Sequence, residues 1–63
     1  MKFKRDDYVR DTRRSYSGII RNELSCGEYY IVEPFDLHLQ NLYPFGITSR
    51  VEDLILIEKE KND

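Results

Sequence analysis

Glu28-Tyr29-Tyr30-Ile31-Val32-Glu33-Pro34 is the stretch that decides the fold. Four aromatic and β-branched residues, Tyr29 to Val32, stand between two acids, and a proline follows. Such side chains fit a pleated sheet, and a proline cannot donate to the next ladder bond. The reading is a strand over residues 28–33. Alternation turns Tyr30 and Val32 to one face and Tyr29 and Ile31 to the other. Both faces are then apolar, so either the segment that follows or a partner must cover the second one.

Upstream, Leu24-Ser25-Cys26-Gly27 reads as a turn, with Gly27 free to take a positive φ. Before it, Tyr16-Ser17-Gly18-Ile19-Ile20-Arg21-Asn22-Glu23 reads as a strand, and the two make a hairpin. Gly18 marks a bulge, or a bend where another backbone comes close. Thr12-Arg13-Arg14-Ser15 is a polar turn, and residues 8–12 form a short first strand.

Downstream, residues 34–46 form a long loop with room for one helical turn. Asp36 is placed to cap that turn, and two prolines limit its length. Residues 47–51 make a fourth strand. Ser49-x-x-Glu52 has capping-box spacing, so a helical turn is expected at residues 52–54. Leu54-Ile55-Leu56-Ile57 is the last strand, and residues 59–63 are a solvated tail. The expected inward residues are Val9, Ile19, Leu24, Tyr30, Val32, Ile47, Val51, Leu54 and Leu56.

Composition agrees. The 63 residues contain no alanine and no tryptophan, but five Tyr and three Phe, which favours strands over helices. A chain this short buries only about 60% of its unfolded surface, enough for one domain, residues 1–63. Apolar residues are 40%, charged residues 35% and the net charge is −2, a globular balance. No apolar run exceeds four residues, so no spanning helix and no signal peptide is read, and the expected compartment is the cytoplasm. One Cys and one His cannot supply a disulfide or a four-ligand zinc site.

Five short strands with a helical turn before the last resemble the SH3-like small β-barrels, including the KOW and Tudor-like groups. The resemblance rests on Asp7-Tyr8-Val9, Ser17-Gly18-Ile19-Ile20, Gly27-Glu28-Tyr29-Tyr30-Ile31-Val32 and Glu52-Asp53-Leu54-Ile55-Leu56-Ile57. It implies an all-β, five-stranded small barrel used for binding. It does not imply Pro-rich peptide recognition, because the groove tryptophan and the Ala-Leu-Tyr-Asp-Tyr opening of signalling SH3 domains are missing.

Catalysis is not expected. His38 has no positioned partner in the sequence, and Cys26 stands nearer to Glu23 and Glu28 than to any cation. Asp6-Asp7 and Glu52-Asp53 read as turn formers, and the scattered Gly18, Gly27 and Gly46 make no phosphate loop. No cofactor or metal is implied.

Binding has two readings. Residues 1–21 carry seven basic groups against three acids, a net +4, while residues 22–63 carry a net −6. Either the halves pair, or a basic surface remains. Arg10, Arg13, Arg14 and Arg21 with Tyr8 and Tyr16 then suit nucleic acid. The favoured reading is a protein partner or a homodimer. Its candidate contact residues are Phe35, Leu37, Leu39, Leu42, Tyr43 and Phe45, with Arg13, Arg14 and Tyr16, since aromatics and Arg are enriched in interfaces. The alternative for the loop residues is that they fold back into the core. Size and simplicity suggest a small accessory or regulatory factor of bacterial or phage type.

Overall fold

A computed structural model describes residues 2–57. The tail read at residues 59–63 lies outside them. Five antiparallel strands form one sheet: β1 (Tyr8–Asp11), β2 (Tyr16–Leu24), β3 (Tyr29–Pro34), β4 (Ile47–Arg50) and β5 (Leu54–Leu56). Their order across the sheet is β4-β3-β2-β1-β5. One six-residue helix, α1 (Leu37–Leu42), connects β3 to β4. The decisive strand, β3, pairs Val32 with Ile20 on one side and with Ile47 on the other.

The expected closed barrel is not what the hydrogen bonds form. No ladder among the described residues joins β4 to β5, so the sheet is open and these are its edges. The sheet is nevertheless strongly curled. In a flat sheet of five strands the two edges lie about 19 Å apart. Here a three-residue 3₁₀ turn, Val51–Asp53, joins them directly, and three such residues span only about 6 Å. Backbone bonds from Val51 N to Glu28 O and from Thr12 N to Asp53 O tie this turn to both sides.

Gly18 permits the curl. A Cβ built there would meet Glu33 O, and Val32 Cγ1 at 2.8 Å. The backbone of β3 therefore crosses β2 where any other residue would have a side chain. Of the two readings at Gly18, the close approach of another backbone holds, and the bulge lies elsewhere: the register shifts between Ile20 and Asn22, leaving Arg21 as the extra residue. A bulge adds local bend and changes the phase of alternation. Ile20 thus lies opposite the buried Val32, and Glu23 opposite the buried Tyr30.

That phase corrects the expected core. Phe3, Val9, Tyr16, Ile20, Tyr30, Val32, Ile47 and Leu54 form it, with Leu39 and Val51 packed against it. Ile20 is buried and Ile19 only half-buried, because Ile20 shares the phase of Tyr16 and Gly18. Leu24 is also half-buried. Leu56 is 63% exposed, since β5 is an edge with no further strand beside it. Phe3, alone in a charged segment, packs edge-on against Tyr30 at 5.4 Å and was not foreseen.

The second face of β3 is covered by its own chain only at Ile31, which is half-buried, while Tyr29 stays 39% exposed. Gly46 sits at φ +92°, and a Cβ there would lie 2.7 Å from Ile31 Cγ2. The loop return therefore rests on Ile31. Asp36 caps α1 as its position suggests, accepting from His38 N at 2.8 Å and Leu39 N at 3.3 Å. Pro34 and Pro44 flank the helix rather than interrupt it. The capping box does not form: the 3₁₀ turn has no side-chain cap, and Ser49 is buried and bonded elsewhere.

Replacing Gly18 by alanine should destabilise the fold by at least about 2 kcal/mol, because the clash is with backbone. Gly27→Ala, at φ +91° and with the added Cβ meeting only side-chain ends, Glu23 Oε2 at 3.2 Å and Tyr30 Oη at 3.5 Å, should cost about 1 kcal/mol. Urea unfolding of the two variants checks the ranking.

Candidate interaction surface

The turn between β1 and β2 is built on a buried acid. Asp11 is 1% exposed, and its Oδ1 accepts from Arg13 N at 2.9 Å and Arg14 N at 2.8 Å. Ser15 N also donates to Asp11 O at 2.8 Å, and Ser15 takes φ 58° to close the turn. Two backbone N–H groups satisfy the hydrogen-bonding needs of this buried side chain. Nothing in a run of polar residues singles out Asp11 over Asp6 or Asp7. The signal is its pairing opposite Tyr16 and Leu54 on the core face.

This turn holds Arg13 and Arg14 at the surface. The Arg14 guanidinium reaches β4 and donates to Thr48 O at 3.1 Å. Arg10 lies on the other face of the sheet, where it donates to Ser17 Oγ at 3.2 Å. Tyr8 is on that face too, with Phe35 edge-on at 5.1 Å.

Two of the expected contact residues are not surface groups. Tyr16 is buried in the core, and its hydroxyl bonds Ser49 Oγ at 2.6 Å. It cannot serve as a stacking platform. Leu39 turns inward to the core. The other loop residues do not fold back: Phe45 is 91% exposed, Leu37 73% and Leu42 59%, with Tyr43 and Phe35 about half exposed.

Among the described residues, two clefts lie beside α1. One, of about 790 Å³, lies between the β1–β2 turn and the helix and is lined by Arg14, Tyr16, His38, Leu39, Tyr43 and Ile47 among others. The other, of about 400 Å³, includes Arg21, Glu33, Tyr43 and Phe45. Tyr43 stands between them.

Among the described residues one ion pair joins the two halves of the chain, Arg21 to Glu33. Arg21 bonds Glu33 at 2.9 Å and Asp6 at 3.4 Å, and Arg50 bonds Glu52 at 2.7 Å. These pairs push both guanidinium pKa values further up. Arg21 is thus compensated, whereas Arg10, Arg13 and Arg14 have no ion pair among the described residues. Nor do those residues contain a group of three His, Cys, Asp or Glu suited to a metal. Cys26 is exposed in a turn with φ 55°, and among the described residues no helix is long and apolar enough to cross a membrane.

Burial raises the Tyr16 pKa above its ordinary value, and the charge of Asp11 adds to this, against the opposing effects of Ser49 and Arg14. The unfolded phenol ionises near pH 10. Tyr16 therefore contributes stability that is complete below about pH 10 and is lost as pH rises through the higher folded value. Wild-type stability should fall above about pH 10, and Tyr16→Phe should flatten part of that fall. At neutral pH, Tyr16→Phe and Ser49→Ala should each cost about 1–2 kcal/mol, and together clearly less than the sum. Denaturant titrations at several pH values measure both effects. Comparison with protein-family models, curated proteins and solved structures finds no match for this chain.

Proposed function

We propose that the chain is a non-catalytic interaction module that binds a protein partner, a second copy of itself included, through the surface around α1. The observation that carries this reading is the fate of the 35–45 segment. Only Leu39 of its large apolar residues packs against the core, while Leu37, Leu42 and Phe45 remain mostly exposed. Exposed apolar groups concentrated in one short connection favour contact with another macromolecule. Tyr43 adds an aromatic of the kind enriched in binding hot spots.

The finer assignment, an SH3-like small barrel of the KOW or Tudor-like kind, belongs to the same proposal. The strand order and the 3₁₀ turn before β5 support it. A role as a small accessory or regulatory factor of bacterial or phage type rests on size alone.

A second reading, nucleic-acid binding, is favoured by one observation. Arg10 and the Tyr8–Phe35 ring pair lie on the outer face, and Arg13 and Arg14, nearby in sequence, have no ion pair among the described residues. The burial of Tyr16 and the pairing of Arg21 count against it.

A tagged chain should retrieve one dominant protein, or the chain should sediment as a dimer. Leu42→Ser combined with Phe45→Ser should weaken that association at least about tenfold, with each substitution changing stability by less than about 0.5 kcal/mol. A monomer that retrieves nothing sinks the protein reading. Salt-sensitive retention of mixed oligonucleotides, lost in the Arg13→Glu, Arg14→Glu chain, decides for the second one.

A further inference from the structure

We propose that Arg14 guards the edge of β4 against strand addition by a second copy of this chain. Strand addition uses backbone groups and not the exposed side chains of residues 35–45. The guard therefore operates whether or not those side chains meet a partner.

Because the sheet is open, one chain presents two edges, β4 and β5. An unpaired edge is a template for another strand. One edge of a copy can meet the other edge of the next, a head-to-tail contact that need not close.

The ladders fix which groups each edge turns outward. Residues of an antiparallel pair alternate between hydrogen-bonded and non-bonded partners. Val51 N donates to Glu28 O, one step beyond the pairing of Tyr29 with Arg50. Ser49 and Ile47 therefore bond β3, while Thr48 and Arg50 turn their backbone groups outward. At the other edge, Thr12 N donates to Asp53 O and Ile57 N to Tyr8 O. Ile55 therefore bonds β1, and Leu54 and Leu56 face outward.

Thr48 is where the two edges differ. The Arg14 guanidinium arrives from the β1–β2 turn and donates through Nη1 to Thr48 O at 3.1 Å. β4 has four residues, so this carbonyl is one of its two outward acceptors. An added strand has to displace the guanidinium, or enclose its charge at a cost in desolvation. The turn holds Arg14 from below, since its own N–H donates to the buried Asp11 carboxylate at 2.8 Å. No carboxylate among the described residues lies within ion-pair distance to draw the guanidinium off the edge.

β5 has no strand on its far side, with Ile55 50% and Leu56 63% exposed. It is the apolar edge that an unguarded β4 of another copy would meet.

Sedimentation of the full chain over a concentration series tests the guard, with the wild-type mass, monomer or dimer, as baseline. Arg14→Met keeps a long side chain and removes the donors, and Arg13→Met removes the same charge from the neighbouring position. Arg14→Met should raise the weight-average mass at least about twofold above the baseline as copies pair head to tail, whereas Arg13→Met should not. Adding Leu56→Pro to Arg14→Met should restore the baseline, because proline removes an outward N–H and leaves the ladder with β1 in place. Arg14→Gln, shorter and uncharged, carries the same expectation as Arg14→Met, so the test survives if one of them fails to fold. An amide spectrum like that of the wild type identifies the folded variants. A folded Arg14→Met or Arg14→Gln chain at the baseline mass overturns the proposal. So does an equal rise in Arg13→Met, or a rise that Leu56→Pro leaves unchanged. A surface around α1 that retrieves no partner sinks the protein-partner reading and leaves these expectations as they are.

Discussion

Everything in this fold depends on the missing side chain at Gly18. One sheet of five short strands has no second layer to pack against, so it must build a core from its own concave face. That requires β3 to cross β2 closely, with the carbonyl of Glu33 standing where a Cβ would be. The bulge at Arg21 continues the bend. Once the sheet is curled, Tyr16 at the start of β2 reaches Ser49 on β4, a strand it does not pair with. That bond, with Tyr30 and Leu54 beneath it, holds the two arms of the sheet together.

The curl also explains where the polar groups went. Asp11, Tyr16 and Ser49 are all on the concave face, and burial there is tolerated because each has a partner. Asp11 takes the amides of the next turn, and Tyr16 and Ser49 take each other. The same arrangement projects Arg13 and Arg14 outward from a turn that is fixed from below. The β1–β2 turn, through Arg14, and the short helix, through His38 and Leu39, therefore border one cleft. Both are local consequences of covering one end of a curled sheet with few residues.

The strands, the hairpin turn, the capping role of Asp36 and the β character of the whole were legible in the sequence. They rest on local chemistry: β-branched and aromatic runs, a proline at the end of β3, and a carboxylate two and three residues before the amides that donate to it. The core list was less legible. Ile19 and Ile20 are chemically identical neighbours, and only the phase set by Gly18 and the Arg21 bulge chooses between them. Leu56 reads as core by composition but lies on an edge. Ser49 reads as a helix cap by spacing, yet its hydroxyl is taken by a tyrosine 33 residues away.

The candidate contact surface divides in the same way. Sequence alone determined that residues 35–45 and the arginines before residue 22 hold more apolar and basic groups than a small sheet needs. It could not say which of them the fold would consume, because burial depends on how far the sheet curls and where the helix lands. Tertiary structure decided that Tyr16 and Leu39 belong to the interior and that Leu37, Leu42 and Phe45 do not. It also decided that Arg21 is ion-paired, while Arg14 has no ion pair among the described residues. The reason is geometric: side-chain type is a property of the chain, but exposure and charge compensation are properties of what the folded backbone brings beside it.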